Sequence, residues 1–129
     1  MRAFINILGA AAMLAGAVQA DPAEGVWRTQ PDRKALISHI KIAPCAAKLC
    51  GHVVAIFDKA GTPVTTKNLG LKLFWDMVPH GSGNYGGGTV YLPLLDVTAA
   101  ASMKLSGNSL TVTACKGPVC DGQVWTRVK

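Results

Sequence analysis

Three histidines, four cysteines and seven acids are the side chains in this 129-residue chain whose types could do chemistry. Their spacing decides how far each goes. Nucleophilic catalysis needs a Ser or Cys beside a base that a carboxylate orients, and no segment brings such a trio together. His39 falls on the outer face of an alternating segment and reads as a solvated strand histidine. His52, beside Cys50, and His80, in a glycine turn, would ligate a metal only if the fold joined them, because no His pair stands at i, i+2 or i, i+4. Asp58, Asp76 and Asp96 are the mid-chain acids and form no evident pair for glycoside hydrolysis. Gly81-x-Gly83-x-x-Gly86 has the spacing of a dinucleotide fingerprint, yet no helix pattern follows it, so turn formation and strand curvature explain it better. The expectation is a protein that is not an enzyme and that uses neither metal nor cofactor.

The cysteines fall in two matched groups, Cys45-x4-Cys50 and Cys115-x4-Cys120. Four cysteines permit three pairings. Each close pair brackets turn residues, Ala46-Ala47-Lys48 in one case and Lys116-Gly117-Pro118 in the other, which favours two local disulfides acting as clips on hairpins. A zinc site built from all four is the rival reading; structural zinc prefers Cys-x2-Cys spacing, and an oxidising compartment disfavours free thiolates.

That compartment is indicated by the start of the chain. Met1-Arg2 is a short positive region, Phe4 to Val18 is an uncharged apolar run, and Val18-Gln19-Ala20 offers small residues for cleavage, so residues 1–20 read as a signal peptide. The run is shorter than the roughly 20 residues a membrane span needs. Cleavage after Ala20 would release a single domain, residues 21–129, to the periplasm or the medium, with no integral membrane segment. Without Arg2, 12 basic residues face 7 acidic ones, a net charge of about +5. The lysines are scattered and no platform of basic and aromatic residues appears, which argues for a solvated basic surface and against nucleic acid.

The segments that must position these groups are short and alternating. Strands are predicted over Gly25 to Thr29, Ala35 to Ile42, Gly51 to Phe57, Phe74 to Val78, Tyr85 to Pro93, Val97 to Leu105, Ser109 to Ala114 and Gln123 to Val128. Turn chemistry separates them: Gln30-Pro31-Asp32-Arg33, Asp58 to Pro63, His80 to Asn84 and Ser106-Gly107-Asn108. Val64 to Leu73 reads as loop with a short helical turn or strand. Gly86-Gly87-Gly88 inside a strand signals sharp bending or close backbone approach, as the corners of a small barrel require. No long segment has a 3.6-residue period, so the fold class is all-β: a small antiparallel barrel of about eight strands.

Gly25-x-Trp27 opens the first strand and Trp125-Thr126-Arg127-Val128 ends the last. If these strands meet, Gly25, Trp27 and Arg127 would form the closure, with the guanidinium over the indole. Leu36, Ile40, Val54, Ile56, Trp75, Tyr91, Met103, Leu110 and Val112 are the expected interior. Such an interior either packs solid or holds one small ligand. The leading expectation is a periplasmic or secreted barrel protein that binds a small hydrophobic or amphipathic ligand, with Trp75, Tyr91 and Met103 as the candidate contacts. The alternative is a ligand-free interaction module of the cell envelope that uses its basic outer face or a sheet edge.

Gly25-x-Trp27, Ile42-Ala43-Pro44-Cys45-x4-Cys50-Gly51, Gly87-Gly88-Thr89-Val90-Tyr91-x-Pro93, Cys115-x4-Cys120 and Trp125-Thr126-Arg127-Val128 together resemble the DUF2147 family of secreted bacterial proteins. The resemblance spans the whole predicted mature chain and implies a lipocalin-like barrel outside the cytoplasm; it implies no activity. Family members typically carry a polar Asp/Asn-Pro-x-x-Gly turn where this chain has apolar Leu92-Pro93-Leu94-Leu95-Asp96, and their middle Arg-rich segment is reduced here to Lys67-Asn68-Leu69-Gly70-Leu71-Lys72. A rim built from those segments would be altered in this divergent branch.

Overall fold

The computed structural model describes residues 19–129; the predicted signal peptide lies outside them but for its last two residues. Eight strands follow in order: β1 (Gly25–Arg28), β2 (Ile37–Cys45), β3 (Lys48–Phe57), β4 (Lys72–Gly81), β5 (Asn84–Leu92), β6 (Val97–Ser106), β7 (Ser109–Lys116) and β8 (Val119–Arg127). Each pairs antiparallel with its sequence neighbours, and β1 pairs with β8, closing an up-and-down barrel. The polar and glycine-rich turns fix this order, since antiparallel neighbours need only short connections.

A meander of this kind sorts its connections to two ends. One end carries the β2–β3, β4–β5 and β6–β7 turns together with both termini of the described chain. The other, the loop end, carries residues 29–36, residues 58–71, the turn at 93–96 and the turn at 117–118. The segment Val64 to Leu73 is loop through Leu71, with strand β4 beginning at Lys72. Both disulfides are local. Cys45 bonds Cys50 diagonally across the β2–β3 hairpin, and Cys115 bonds Cys120, its directly opposite residue in β7–β8.

Three bulges set which residues face inward. On β3, Val54 has no partner, because His39 pairs Ala55 while Ile40 pairs Val53. On β4, Trp75 and Asp76 together oppose Cys50, with Asp76 in the left-handed region at φ 58°. On β5, Gly86 and Gly87 oppose Ser102, with Gly87 at φ 71°. An extra residue on one strand inverts the faces beyond it. Thus Val53 and Ile56, Phe74 and Met77, and Tyr85 and Gly88 all point inward although each pair is three residues apart.

Those bulges correct part of the expected interior. Ile40, Ile56, Met103, Leu110 and Val112 are buried in the core, and Leu36 is half-buried against it. Val54, by contrast, is exposed because it is the bulged residue. Trp75 faces outward because the bulge at Asp76 hands the inward position to Phe74. Tyr91 is outward because Val90 fixes the phase of β5 from the inside.

Candidate functional site

Three places in this barrel could serve a function: the closed end, the interior and the outer surface. The closed end is built from the first strand outward. Trp27 pairs Arg127 across the β1–β8 seam, and the Arg127 guanidinium carbon lies 4.3 Å from the centroid of the Trp27 ring. Its Nη1 donates to the Glu24 carbonyl at 3.1 Å and its Nη2 to the Pro22 carbonyl at 2.6 Å. Trp27 Nε1 donates to the Ala23 carbonyl at 2.9 Å. Residues 21–24 are thereby folded over the barrel end, and Ala23 is fully buried. A planar cation that stacks on one face and holds two carbonyls in its plane suits this place; an ammonium would not satisfy the same set.

Gly25 sits at this seam for a steric reason. Its φ is 134°, and a Cβ there would meet the Lys129 carbonyl and the Arg127 guanidinium, at 2.5 and 3.0 Å. Asp21 completes the plug: its Oδ1 accepts from the Ala23 N–H at 2.8 Å and from the Tyr85 hydroxyl at 2.6 Å. Burial, reinforced by that carboxylate, raises the Tyr85 phenol well above its ordinary range. No signal in the sequence pointed to Asp21 or Tyr85, since nothing in local spacing shows that residues 64 positions apart will meet.

The inward side chains bury one another in a single core. Trp27, Ile40, Phe74, Met77 and Leu110 are 0 % exposed, and Met103 is buried beside them. A void large enough for a ligand would leave the side chains around it open to a water-sized sphere, and these five touch no such space. Small inward residues make room for large ones. Phe74 lies over Gly51 and Met77 lies over Gly88, where a Cβ would crowd the Met77 Cε at 2.8 Å. The Phe74 and Trp125 rings lie 6.3 Å apart, within the range of favourable aromatic pairs. Trp125 Nε1 donates to Gln123 Oε1 at 2.7 Å, and among the described residues no buried side-chain nitrogen or oxygen lacks a partner.

On the outside, two shallow depressions share Arg28 and His39. One of about 410 Å³ adds Ile37, Phe57 and Lys59; the other, about 370 Å³, adds Thr126 and Val128. His39 lies against Phe57 with ring centroids 4.7 Å apart, and burial, with the Arg28 charge second, lowers its pKa. Trp75 and Tyr91 lie on neighbouring strands of the opposite wall, and Tyr91 donates to Asp96 Oδ1 at 2.6 Å. The structure therefore separates the candidate ligand contacts, with Met103 inside and Trp75 and Tyr91 outside. It brings Gly25, Trp27 and Arg127 together at the seam. No group of three or more His, Cys, Asp or Glu among the described residues is placed to hold a metal ion.

A solved structure, that of the Helicobacter pylori protein HP1028, described as belonging to the lipocalin family, resembles the chain with a TM-score of 0.66 at 17% identity over 88% of this chain and 85% of the other. At that identity the likeness concerns the fold, a lipocalin-like barrel. No curated protein matches the chain. The family model for DUF2147, uncharacterised proteins conserved in bacteria, matches residues 25–127, which takes in the closing tryptophan, both cysteine pairs, the glycine corner of β5 and the stacking arginine. The chain belongs to the DUF2147 family.

Proposed function

We propose that this protein is a non-enzymatic, cofactor-free interaction module of the bacterial cell envelope, which works through the outside of a filled barrel and carries no guest within it. The observation that carries this reading is the closed interior, in which five central side chains are 0 % exposed. A carrier of apolar molecules needs a wall that water or ligand can reach. Export is supported by the apolar leader read in residues 1–20 and by the two disulfides, which persist in oxidising compartments. On this reading the mature protein works in the periplasm or the medium.

Native mass spectrometry of protein purified from periplasm, together with titration by an environment-sensitive fatty-acid probe, tests the reading. Bare protein and no saturable probe binding are expected. A stoichiometric co-purifying lipid or hydrophobic metabolite would overturn it.

A second reading keeps the small apolar ligand but seats it outside, on Trp75 and Tyr91. It is favoured by the partial exposure of both rings on adjacent strands. Of the three tryptophans only Trp75 is open to solvent, because Trp27 and Trp125 are buried. Ligand quenching of tryptophan fluorescence that disappears in Trp75→Phe would establish this reading, and quenching that persists in that variant would exclude it.

A further inference from the structure

We propose that the loop end of the barrel docks on an anionic lipid bilayer. The proposal rests on the reading that the protein acts through its outer surface, and it names the partner. Large apolar side chains are exposed there in a concentrated way. Leu69 is 41% exposed, Leu94 48%, Leu95 61% and Val119 70%, so four of the seven exposed large hydrophobics stand at this one end. They come from three different connections. Phe74 pairs Val90, so the loop that enters β4 and the turn that leaves β5 emerge from neighbouring strands at this end. Lys116 Nζ donates to the Thr98 carbonyl at 3.0 Å and ties the β7–β8 hairpin, with Val119, to the foot of β6.

The leucine turn is held in shape. The N–H groups of Leu95 and Asp96 both donate to the Leu92 carbonyl, at 3.1 and 2.8 Å. The Tyr91 hydroxyl fastens the Asp96 carboxylate from the strand below. Leu94 and Leu95 are therefore displayed on a fixed tip, and behind them Leu36, Val64, Leu71 and Leu92 pack partly buried onto the core. An apolar rim without a cover is unusual on a soluble domain and marks a contact surface.

Charge says what kind of surface. Arg33, Lys34, Lys59, Lys67, Lys72 and Lys116 surround the rim, against Asp32, Asp58, Asp96 and Asp121. Three of those acids are turned to local tasks: Asp32 and Asp58 accept from N–H groups of their own turns, and Asp96 accepts from Tyr91. Those hydrogen bonds leave the carboxylates charged, so six cations against four acids give this end an excess of two positive charges, which favours a negative partner. A second copy of the chain would bring the same cations face to face. The larger depression reaches the turn at 58–61 of this end, but neither depression is lined by Leu69, Leu94, Leu95 or Val119, so the apolar tips stand clear of both, which suits insertion below lipid headgroups better than reception of a peptide.

Vesicle flotation of the purified mature protein decides the matter, comparing phosphatidylethanolamine/phosphatidylglycerol vesicles with phosphatidylcholine alone. The protein should float with the anionic vesicles, less so at high salt, and L94S/L95S should partition at least tenfold more weakly. L69S, on a separate loop, should weaken partitioning too, while V124S on the side of β8 should not change it; unchanged circular dichroism verifies each fold. Absence of wild-type flotation at low salt overturns the proposal, and so does equal flotation of L94S/L95S. Light scattering that shows a wild-type dimer reduced to monomer by L94S/L95S would assign the rim to a second copy instead, and capture of a periplasmic protein by the rim with no vesicle binding would assign it to a protein partner. Failure here leaves the filled interior untouched, because that is read separately by probe binding.

Discussion

Substituting Gly51 by alanine tests the filled interior at its tightest point. Gly51 is inward on β3, and a Cβ there would sit against the Phe74 ring, 2.8 Å from its Cδ2, and 3.0 Å from the Cγ2 of Ile40. Phe74 and Ile40 are themselves fully buried, so neither has free volume to move into. Forcing one methyl into such a core costs about 1–3 kcal/mol. The φ of Gly51 lies outside the left-handed range, so alanine brings no backbone strain, and its smaller unfolded-state entropy returns about 0.4–1 kcal/mol. The net loss is about 1–2 kcal/mol, which lowers the melting temperature of a domain this size by about 5–10 °C. Gly88→Ala should cost less, since its Cβ meets the flexible thioether of Met77. Gly122→Ala is the control: its nearest neighbour would be Thr113 Oγ1 at 3.6 Å, an ordinary contact, so stability should hold or rise slightly. Thermal unfolding followed by circular dichroism supplies the numbers, and Gly51→Ala/Phe74→Leu should lose less than the sum of its parts. A Gly51→Ala protein that melts with wild type would refute the packing argument, and with it the case for a barrel without a guest.

Other expectations follow from the closed end, the tyrosines and the cysteines. Trp27→Ala should cost about 3–5 kcal/mol by chemical denaturation, because a fully buried ring leaves a cavity and uncovers the Ala23 carbonyl; an unchanged midpoint would contradict its placement. Arg127→Lys should cost about 2 kcal/mol, since an ammonium cannot stack on Trp27 and hold both the Pro22 and Glu24 carbonyls. Both tyrosines have raised pKa values, Tyr85 mainly from burial and Tyr91 mainly from its bond to Asp96. A phenol whose folded pKa exceeds its unfolded value stabilises the fold below about pH 10 and loses that contribution as pH rises through the folded value. Ultraviolet titration should therefore show tyrosinate appearing late, and a complete step centred near pH 10 would be incompatible with the two bonds. Non-reducing peptide mapping should return two small looped peptides, and reducing each bond should cost about 2 kcal/mol; a peptide linking the first cysteine group to the second would be inconsistent with the fold.

Much of the architecture is legible in the sequence. Period-two alternation, turn residues at short intervals and the three glycines of β5 specify eight antiparallel strands with a corner, and they appear in the expected order. Matched Cys-x4-Cys groups around hairpin turns indicated the two clips. The pairing of Trp27 with Arg127 follows once the first and last strands adjoin. What alternation does not encode is a change of phase inside a strand. Period two puts Val54 and Trp75 inward, and a bulge on each strand turns them out.

Asp21 and Tyr85 illustrate a second kind of illegibility. Each is unremarkable where it stands in the chain, and their hydrogen bond exists because closure brings the N-terminal segment over the start of β5. The leucines at 69, 94 and 95 share no local signal, and they stand at one end because their connections leave neighbouring strands there.

By itself, then, the sequence determines the class and the strand order and favours the two local clips, because hydrophobic period, turn chemistry and cysteine spacing are local properties of a chain. Whether the barrel is hollow or filled, which aromatic rings are inside, and where the exposed leucines gather are decided by tertiary structure alone. These depend on bulge positions and on how volumes from eight strands share one axis, and one inserted residue or one ring laid over a glycine changes the answer.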